Sequence, residues 1–226
     1  MEELIRTRGL WRDFPSGHDT VHALRGVNLA FGRRALTVLH GPSGSGKTTL
    51  INLLGALDTP TAGLIDFDGR EITGAAERER DRLRRTEMGF VFQSLALIAL
   101  MSAYENVEFG LRVAGFPASR RRGRAEECLA QVGLRRRMAH RPHELSGGEQ
   151  QRVAIARAIA HGPKVVFADE PTAELDTHMG LQVMKVFRDL VEKSGITIVM
   201  TTHDPNMMDL ADRVFTLEDG EVVDER

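Results

Sequence analysis

The chain of 226 residues has a single cysteine, almost no surplus of either charge and no long apolar run, and each shortage removes a class of function. Cys128 alone cannot close an internal disulfide. It lies in a helical pattern beside Leu129 and Val132, which reads as a buried structural thiol compatible with a reducing compartment. Thirty Lys and Arg against 32 Asp and Glu leave a formal net charge of −2. That balance lacks the basic surplus of a chain that wraps nucleic acid, so no nucleic-acid partner is expected. The apolar stretches at 95–101, 165–168 and 196–200 fall far short of the ~20 residues that span a bilayer. Residues 1–12 carry Glu2 and Glu3 and no apolar segment, so no secretory signal is expected. Neither an internal repeat nor a low-complexity tract is present. What remains is an ordinary globular composition, 42% hydrophobic and 27% charged, long enough for one well-buried domain or a core with a smaller lobe.

The order of elements narrows the fold. The first 35 residues alternate apolar and polar positions in short strands, with Gly17, Gly26 and Gly32 as turn points. Residues 36–39 form an apolar run that ends in a glycine-rich loop, and residues 48–57 have the apolar density of a buried helix. Residues 63–72 read as a hairpin turning at Asp68-Gly69. From about 75 to 160, helix formers and arginines dominate, broken at Pro117, Gly133 and Pro142, which predicts a helical lobe. Strand, helix and strand then follow at 165–168, 180–193 and 196–200, the alternation of a parallel sheet flanked by helices. The arginines at 120–122, 124 and 135–137 read most simply as a solvated helix face, with contact to acidic lipid or a partner as the sharper alternative.

Three strings carry chemistry. Gly41-Pro42-Ser43-Gly44-Ser45-Gly46-Lys47-Thr48 fits G-x-x-x-x-G-K-[ST] and falls between strand and helix, where a phosphate-binding loop belongs. Its glycines let successive N–H groups turn inward, the helix start adds a positive dipole end, Lys47 can reach β- and γ-phosphates, and Thr48 can ligate Mg²⁺. The strand at 165–168 delivers Asp169 and Glu170 side by side. Adjacent strand residues point opposite ways, so Asp169 can hold the Mg²⁺ shell while Glu170 polarises an attacking water; a strand running into an acidic loop is the plainer reading. Leu145-Ser146-Gly147-Gly148-Glu149-Gln150-Gln151-Arg152 opens a helical stretch, with Ser146 as N-cap and glycines that leave N–H groups uncovered. This is a second anion-binding helix start.

That third string resembles the signature of ABC ATPases, and further positions fall into the family pattern in order. Phe92-Gln93 is similar to the Q-loop, whose glutamine senses Mg²⁺ and nucleotide. Ala173-Glu174-Leu175-Asp176 is similar to the D-loop, and His203 to the switch histidine at the γ-phosphate. Phe14 stands where the family places an aromatic that stacks on adenine, with Trp11 as competing candidate. The resemblance covers essentially the whole chain and is greatest to the group of macrolide-efflux, lipoprotein-releasing and cell-division ATPases. It departs from that group at Ala99, where proline is frequent, and at Thr48-Thr49 in place of Ser-Thr.

The resemblance implies an α/β fold, a RecA-like P-loop NTPase core built on a parallel sheet, with an N-terminal antiparallel β subdomain and an inserted α-helical subdomain. Residues 1–226 would form one ABC ATPase domain, with 1–93 and 161–226 as core and 94–160 as the helical signature subdomain. Its ligands would be ATP and Mg²⁺. Glu170, His203 and Gln93 would be catalytic, and Thr48, Gln93 and Asp169 would hold the metal. Phe14, Gly41, Ser43, Gly44, Ser45, Gly46, Lys47, Thr48, Thr49, Ser146, Gly147, Gly148 and Asp176 would bind nucleotide. Two anion-binding helix starts exceed the need of one triphosphate, and in the family they belong to different halves of a head-to-tail dimer. The partners implied are a second copy and an integral-membrane permease of the large-extracytoplasmic-domain exporter type, which places the chain on the cytoplasmic face of the cell membrane. The 23 residues after His203 leave no room for the regulatory domain of many importers, which favours export. A mechanotransmitting or regulatory ATPase module that moves no substrate would read the same. A soluble ATPase of translation or DNA repair would carry tandem domains or a coiled-coil insertion. Within residues 93–106, Ile98, Leu100 and Met101 would meet the permease in the groove, while Leu95 and Leu97 could equally pack the core of the helical lobe.

Overall fold

The computed structural model describes residues 2–17 and 19–226. Two sheets share the chain. The first is antiparallel. Its long strand β1 (Glu3–Ser16) pairs with β2 (Asp19–Val27), β3 (Ala30–Gly32) and β5 (Ala62–Phe67), and β5 turns back into the short β6 (Arg70–Glu71). The β5–β6 turn is the expected Asp68-Gly69 pair, both left-handed at φ 51° and 73°, as a two-residue hairpin loop requires.

The second sheet runs in the order β11-β10-β4-β9-β8-β7, from β4 (Leu36–His40), β7 (Met88–Val91), β8 (Val165–Ala168), β9 (Thr197–Thr202), β10 (Arg213–Glu218) and β11 (Glu221–Glu225). All its pairings are parallel except β10 with β11. Every residue of β8 and β9 is buried, because helices cover one face and the antiparallel sheet with its packed partners covers the other. Strands buried on both faces read as unbroken apolar runs rather than alternating ones, which is why they are visible in the sequence.

The helices are α1 (Lys47–Leu54), α2 (Glu77–Thr86), α3 (Ala103–Val113), α4 (Ala118–Gln131), α5 (Gly147–Ile159), α6 (Thr177–Ser194) and the one-turn α7 (Pro205–Met208), with 3₁₀ turns at Arg135–Arg137 and Pro142–Glu144. Helix α1 stops at Leu54 rather than at residue 57. Gly55 ends it where a Cβ would lie 2.6 Å from the Phe90 ring, and Ala56 turns left-handed at φ 55°.

The stretch 75–160 is not wholly helical: β7 interrupts it. Four residues are too few to show a period, and Gly89 lowers the strand signal. The glycine is needed because β7 lies hard against α5, where a Cβ at Gly89 would stand 2.4 Å from the Ala158 carbonyl oxygen. The arginine clusters also differ from a plain solvated face. Arg122 is exposed and pairs with Glu126, but Arg124 donates to the carbonyls of Ala160 (2.8 Å) and Ile159 (3.2 Å), capping the C-terminus of α5. Cys128 is fully buried, and burial pushes its thiol up to about 11, so it is unreactive as expected.

An ionic knot fastens the hairpin turn of the antiparallel sheet to the parallel one. Asp68 accepts from Lys164 (2.5 Å) and Arg33, and Glu87 accepts from the same Lys164 (2.6 Å) and from Arg70 (2.8 Å). The Lys164 hydrogen bond, then that of Arg33, holds the Asp68 carboxyl at about 2. A depressed carboxyl stabilises the fold above its unfolded value near 4 and stops doing so as pH falls through about 2. We expect Asp68→Asn to cost about 1 kcal/mol at neutral pH once partial exposure is allowed for. The loss should shrink as pH falls from 4 to 2, read by urea unfolding across that range. A cost that does not change with pH would show that the charge of Asp68 is not what stabilises.

Candidate nucleotide site

The phosphate loop leaves the C-terminal end of β4, and two of its glycines have no possible substitute. Gly41 adopts φ 145° with a Cβ position 2.1 Å from the Leu217 carbonyl oxygen, and Gly46 adopts φ 99° with a Cβ position 2.5 Å from that of Ala23. The loop is thus pinned between β10 and β2. Lys47 opens α1 and is folded back: its Nζ donates to the carbonyls of Gly41 and Pro42, both at 2.8 Å. Burial lowers its pKa, opposed by the nearby carboxylates of Glu170 and Asp169.

The two adjacent acids follow directly after β8, which ends at Ala168, and take different partners. Asp169 Oδ1 accepts from Thr48 (3.1 Å) and from Thr201 (2.7 Å), and Glu170 Oε2 lies 2.8 Å from His203 Nδ1. Thr201 Oγ1 also accepts the Glu170 N–H at 2.7 Å, so one hydroxyl holds both acids in place. Glu170 is left-handed at φ 44°, a conformation that costs a non-glycine residue on the order of 1 kcal/mol. Thr201 escaped sequence reading. Its only signal is a hydroxyl two residues before His203 on a buried strand, and that acquires meaning once β9 pairs with β8.

A cleft of about 470 Å³ opens over these groups, lined by Ser43, Gly44, Gly46, Lys47, Thr48 and Thr49 of the loop, by Glu170, and by β2 from Thr20 to Ala23. Ser45 is buried beneath it. Neither aromatic candidate lines the cleft. Phe14 is the cross-strand partner of Val21, which does, and the Arg12 guanidinium covers its ring at 4.3 Å; Trp11 meets His22 edge-on.

Five expected residues lie apart from this cleft: Ser146, Gly147, Gly148, Asp176 and Gln93. Ser146 caps α5 in a reciprocal box with Glu149, its own N–H donating to Glu149 (2.9 Å) while Oγ accepts from the Glu149 N–H (3.3 Å). Ser146 and Gly147 are exposed, whereas Gly148 is buried against Met179. Asp176 caps α6 by accepting from the Met179 N–H at 2.9 Å. Gln93 is exposed two residues beyond β7, next to the strand that carries Asp169.

Residues 95–101 divide. Leu95 and Leu97 pack on the core, while Leu100 is 81% exposed. Buried Asn106 fixes the loop by bonding the backbone of Ile98, Met101 and Ser102. The large apolar recess nearby, about 510 Å³, is lined by Phe92, Phe109, Val113 and Leu57, and not by Ile98, Leu100 or Met101.

A glycine loop and lysine between strand and helix, a threonine bonded to a strand-end aspartate, and a neighbouring glutamate paired with histidine define a P-loop nucleoside triphosphatase. Residues 24–173 match the family model described as ABC transporter, and the chain belongs to that family as an ATP-binding, ATP-hydrolysing domain. It is 44% identical over 221 residues to an uncharacterized ABC transporter ATP-binding protein of Methanocaldococcus jannaschii, covering 98% of each. It is 46% identical over 222 residues to the macrolide export ATP-binding/permease protein MacB of Rhodopseudomonas palustris, of which it spans only 34%. Among solved structures it is similar to the dimeric ATP-binding cassette MJ0796 in a post-hydrolysis state with ADP and Pi (TM-score 0.89, 39% identity, 99% of this chain and 98% of that one). It is also similar to cbiO1 of Clostridium perfringens (TM-score 0.90, 31% identity, 100% and 88%).

Proposed function

We propose that this chain hydrolyses ATP to energise a separate integral-membrane permease, in the direction of export, from the cytoplasmic face of the cell membrane. The observation that supports this most is the continuous set of bonds from Thr48 through Asp169 and Thr201 to Glu170 and His203 at the mouth of the phosphate-loop cleft. The identity to MacB, whose name joins macrolide export, ATP-binding and permease functions in one protein, supports an export permease as partner; in our reading that permease is of the large-extracytoplasmic-domain type. Residues 1–93 and 161–226 would serve as core and 94–160 as signature subdomain.

In this reading the loop N–H groups and Lys47 bind the β- and γ-phosphates, and Phe14, or Trp11 in its place, stacks on adenine from the strand beside the cleft. Thr48 and Asp169 fit Mg²⁺: both offer hard oxygen, and 3.1 Å already separates their donor atoms. Among the described residues no group of three His, Cys, Asp or Glu could hold a metal, so phosphate and water oxygens would complete the shell. When bound, the cation neutralises phosphate charge. Glu170 orients and polarises the attacking water, His203 fixes the Glu170 carboxylate toward it, and Gln93 reports the state of the site to residues 94–101.

Ser146, Gly147, Gly148 and Asp176 fit a second copy. An N-terminus whose first N–H groups are partly uncovered, yet remote from its own chain's cleft, suits the triphosphate of a partner. The dimeric MJ0796 structures support that arrangement. Ser146→Arg should therefore abolish hydrolysis while ATP affinity falls less than tenfold, and mixing it with a Lys47→Ala chain should restore one working site per dimer. Turnover per chain that does not depend on protein concentration would overturn the shared site.

The permease reading makes its own demand at the exposed end of the 95–101 loop. Leu100 contributes little to the fold at 81% exposure, so Leu100→Glu should change stability by less than about 0.5 kcal/mol. Basal hydrolysis should survive, while permease stimulation and co-purification fall. Collapse of folding and basal activity together would place Leu100 in the core; normal stimulation would place the contact elsewhere.

A further inference from the structure

The Phe14 ring rests on a support that the phosphate chemistry does not require. The Arg12 guanidinium carbon lies 4.3 Å from the ring centre, well inside the ~6 Å over which an aromatic face attracts a cation. Arg12 is itself clamped. Its Nε and Nη2 donate to the two carboxylate oxygens of Asp58 at 2.8 and 2.9 Å, the parallel fork that fixes the plane of a guanidinium. Asp58 also accepts from the Thr59 N–H at 2.7 Å, and its own N–H donates to the carbonyl of Asn52 on α1 at 3.2 Å. The clamp therefore ties β1 to the helix that Lys47 opens.

Phe14 keeps its other face. It is 37% exposed, and among the described residues no second ring or cation stacks on it. Its cross-strand partner Val21 lines the nucleotide cleft. Trp11 is engaged differently. A Cβ at Gly26 would stand 3.5 Å from its Nε1, so the indole lies on β2, and its ring meets His22 edge-on with centroids 6.2 Å apart.

We infer that Arg12, held by Asp58, is a positioning residue for the base of the nucleotide, and that Phe14 rather than Trp11 is the ring on which adenine stacks. This rests on the ATP reading above and adds to it the groups that shape the base subsite. A side chain that must stop rotating when ligand arrives costs affinity, and a ring already held by a fixed cation has less freedom left to lose. The cation also draws π-electron density toward its own side of the ring. The uncovered face then meets the π cloud of a purine with less repulsion.

The test uses the full chain and two probes, a non-hydrolysable ATP analogue and inorganic tripolyphosphate, which carries no base. Arg12→Gln should raise KM for ATP and weaken binding of the analogue by about 3- to 10-fold. It should leave kcat unchanged, as expected when binding common to ground and transition states is lost. Tripolyphosphate should bind as before. Arg12→Lys keeps the cation without the fork, so its loss should be smaller. In a Phe14→Leu background Arg12→Gln should add no further loss, because the two residues act through one contact. If Arg12→Gln does not fold, Asp58→Asn releases the clamp with Arg12 in place and must show the same split between the probes. Weaker tripolyphosphate binding, unchanged analogue affinity, or losses that add to those of Phe14→Leu would each overturn the positioning role while leaving Phe14 as the stacking ring. Normal analogue affinity in Phe14→Leu together with a loss in Trp11→Leu would overturn the choice of ring and the positioning role with it.

Discussion

Glu170→Gln should bind ATP normally and hydrolyse it about 10²- to 10⁴-fold more slowly, the range by which a positioned base acts on a reacting proton. The substitution keeps the shape of the side chain, the left-handed backbone and the bond from its N–H to Thr201, so folding should be unchanged. What it removes is the acceptor charge opposite His203. Because hydrolysis would release the shared nucleotide, the variant should accumulate as an ATP-bound dimer, seen by size-exclusion chromatography with ATP and by single-turnover product formation. Near-normal turnover would remove Glu170 from the catalytic step and turn attention to His203. A companion variant, Thr201→Val, should slow hydrolysis as well, since it frees both acids at once, yet it should leave the dimer able to form.

Lys47→Ala should weaken ATP binding by about 10- to 150-fold, the worth of roughly one charged hydrogen bond to phosphate. In the structure its ammonium rests on the carbonyls of Gly41 and Pro42, within its own loop. Nucleotide binding exchanges or supplements those bonds with phosphate oxygens, so the loss appears in affinity rather than only in rate. Loop conformation should hold, because Gly41 and Gly46 are fixed by backbone contacts to Leu217 and Ala23 that the lysine does not touch. Isothermal titration with a non-hydrolysable ATP analogue measures the affinity. The thermal shift that ATP produces in the native chain should shrink in parallel. An unchanged affinity would count against the phosphate role of Lys47.

The phosphate loop was legible because it is local: the chemistry needs glycine, lysine and threonine within eight consecutive positions. The cap of α5 at Ser146 and the turn at Asp68-Gly69 were legible for the same reason. β7 was not, since four residues with a glycine show no period, and that glycine answers to the Ala158 carbonyl 69 residues away in the chain, a contact only the packed fold supplies. The role of Arg124 was hidden likewise. Its neighbours Arg120 to Arg122 look identical in sequence, and only the placement of α4 beside the end of α5 gives it carbonyls to cap.

By itself the sequence determined that this protein binds a triphosphate between a strand and a helix, that two acids follow a second buried strand, and that a second helix start stands ready for an anion. Only the tertiary structure brought these groups to one place. Parallel pairing places Val91 beside Ala168 and Ala168 beside Met200, so the strand ends align and Thr48, Asp169, Glu170, Thr201 and His203 meet although Thr48 and Asp169 are 121 residues apart. Both acids lie just past the end of β8, so what each one meets depends on the register that aligns β8 with its neighbours. That register comes from long-range packing, so Thr201 as shared anchor was beyond the reach of local pattern.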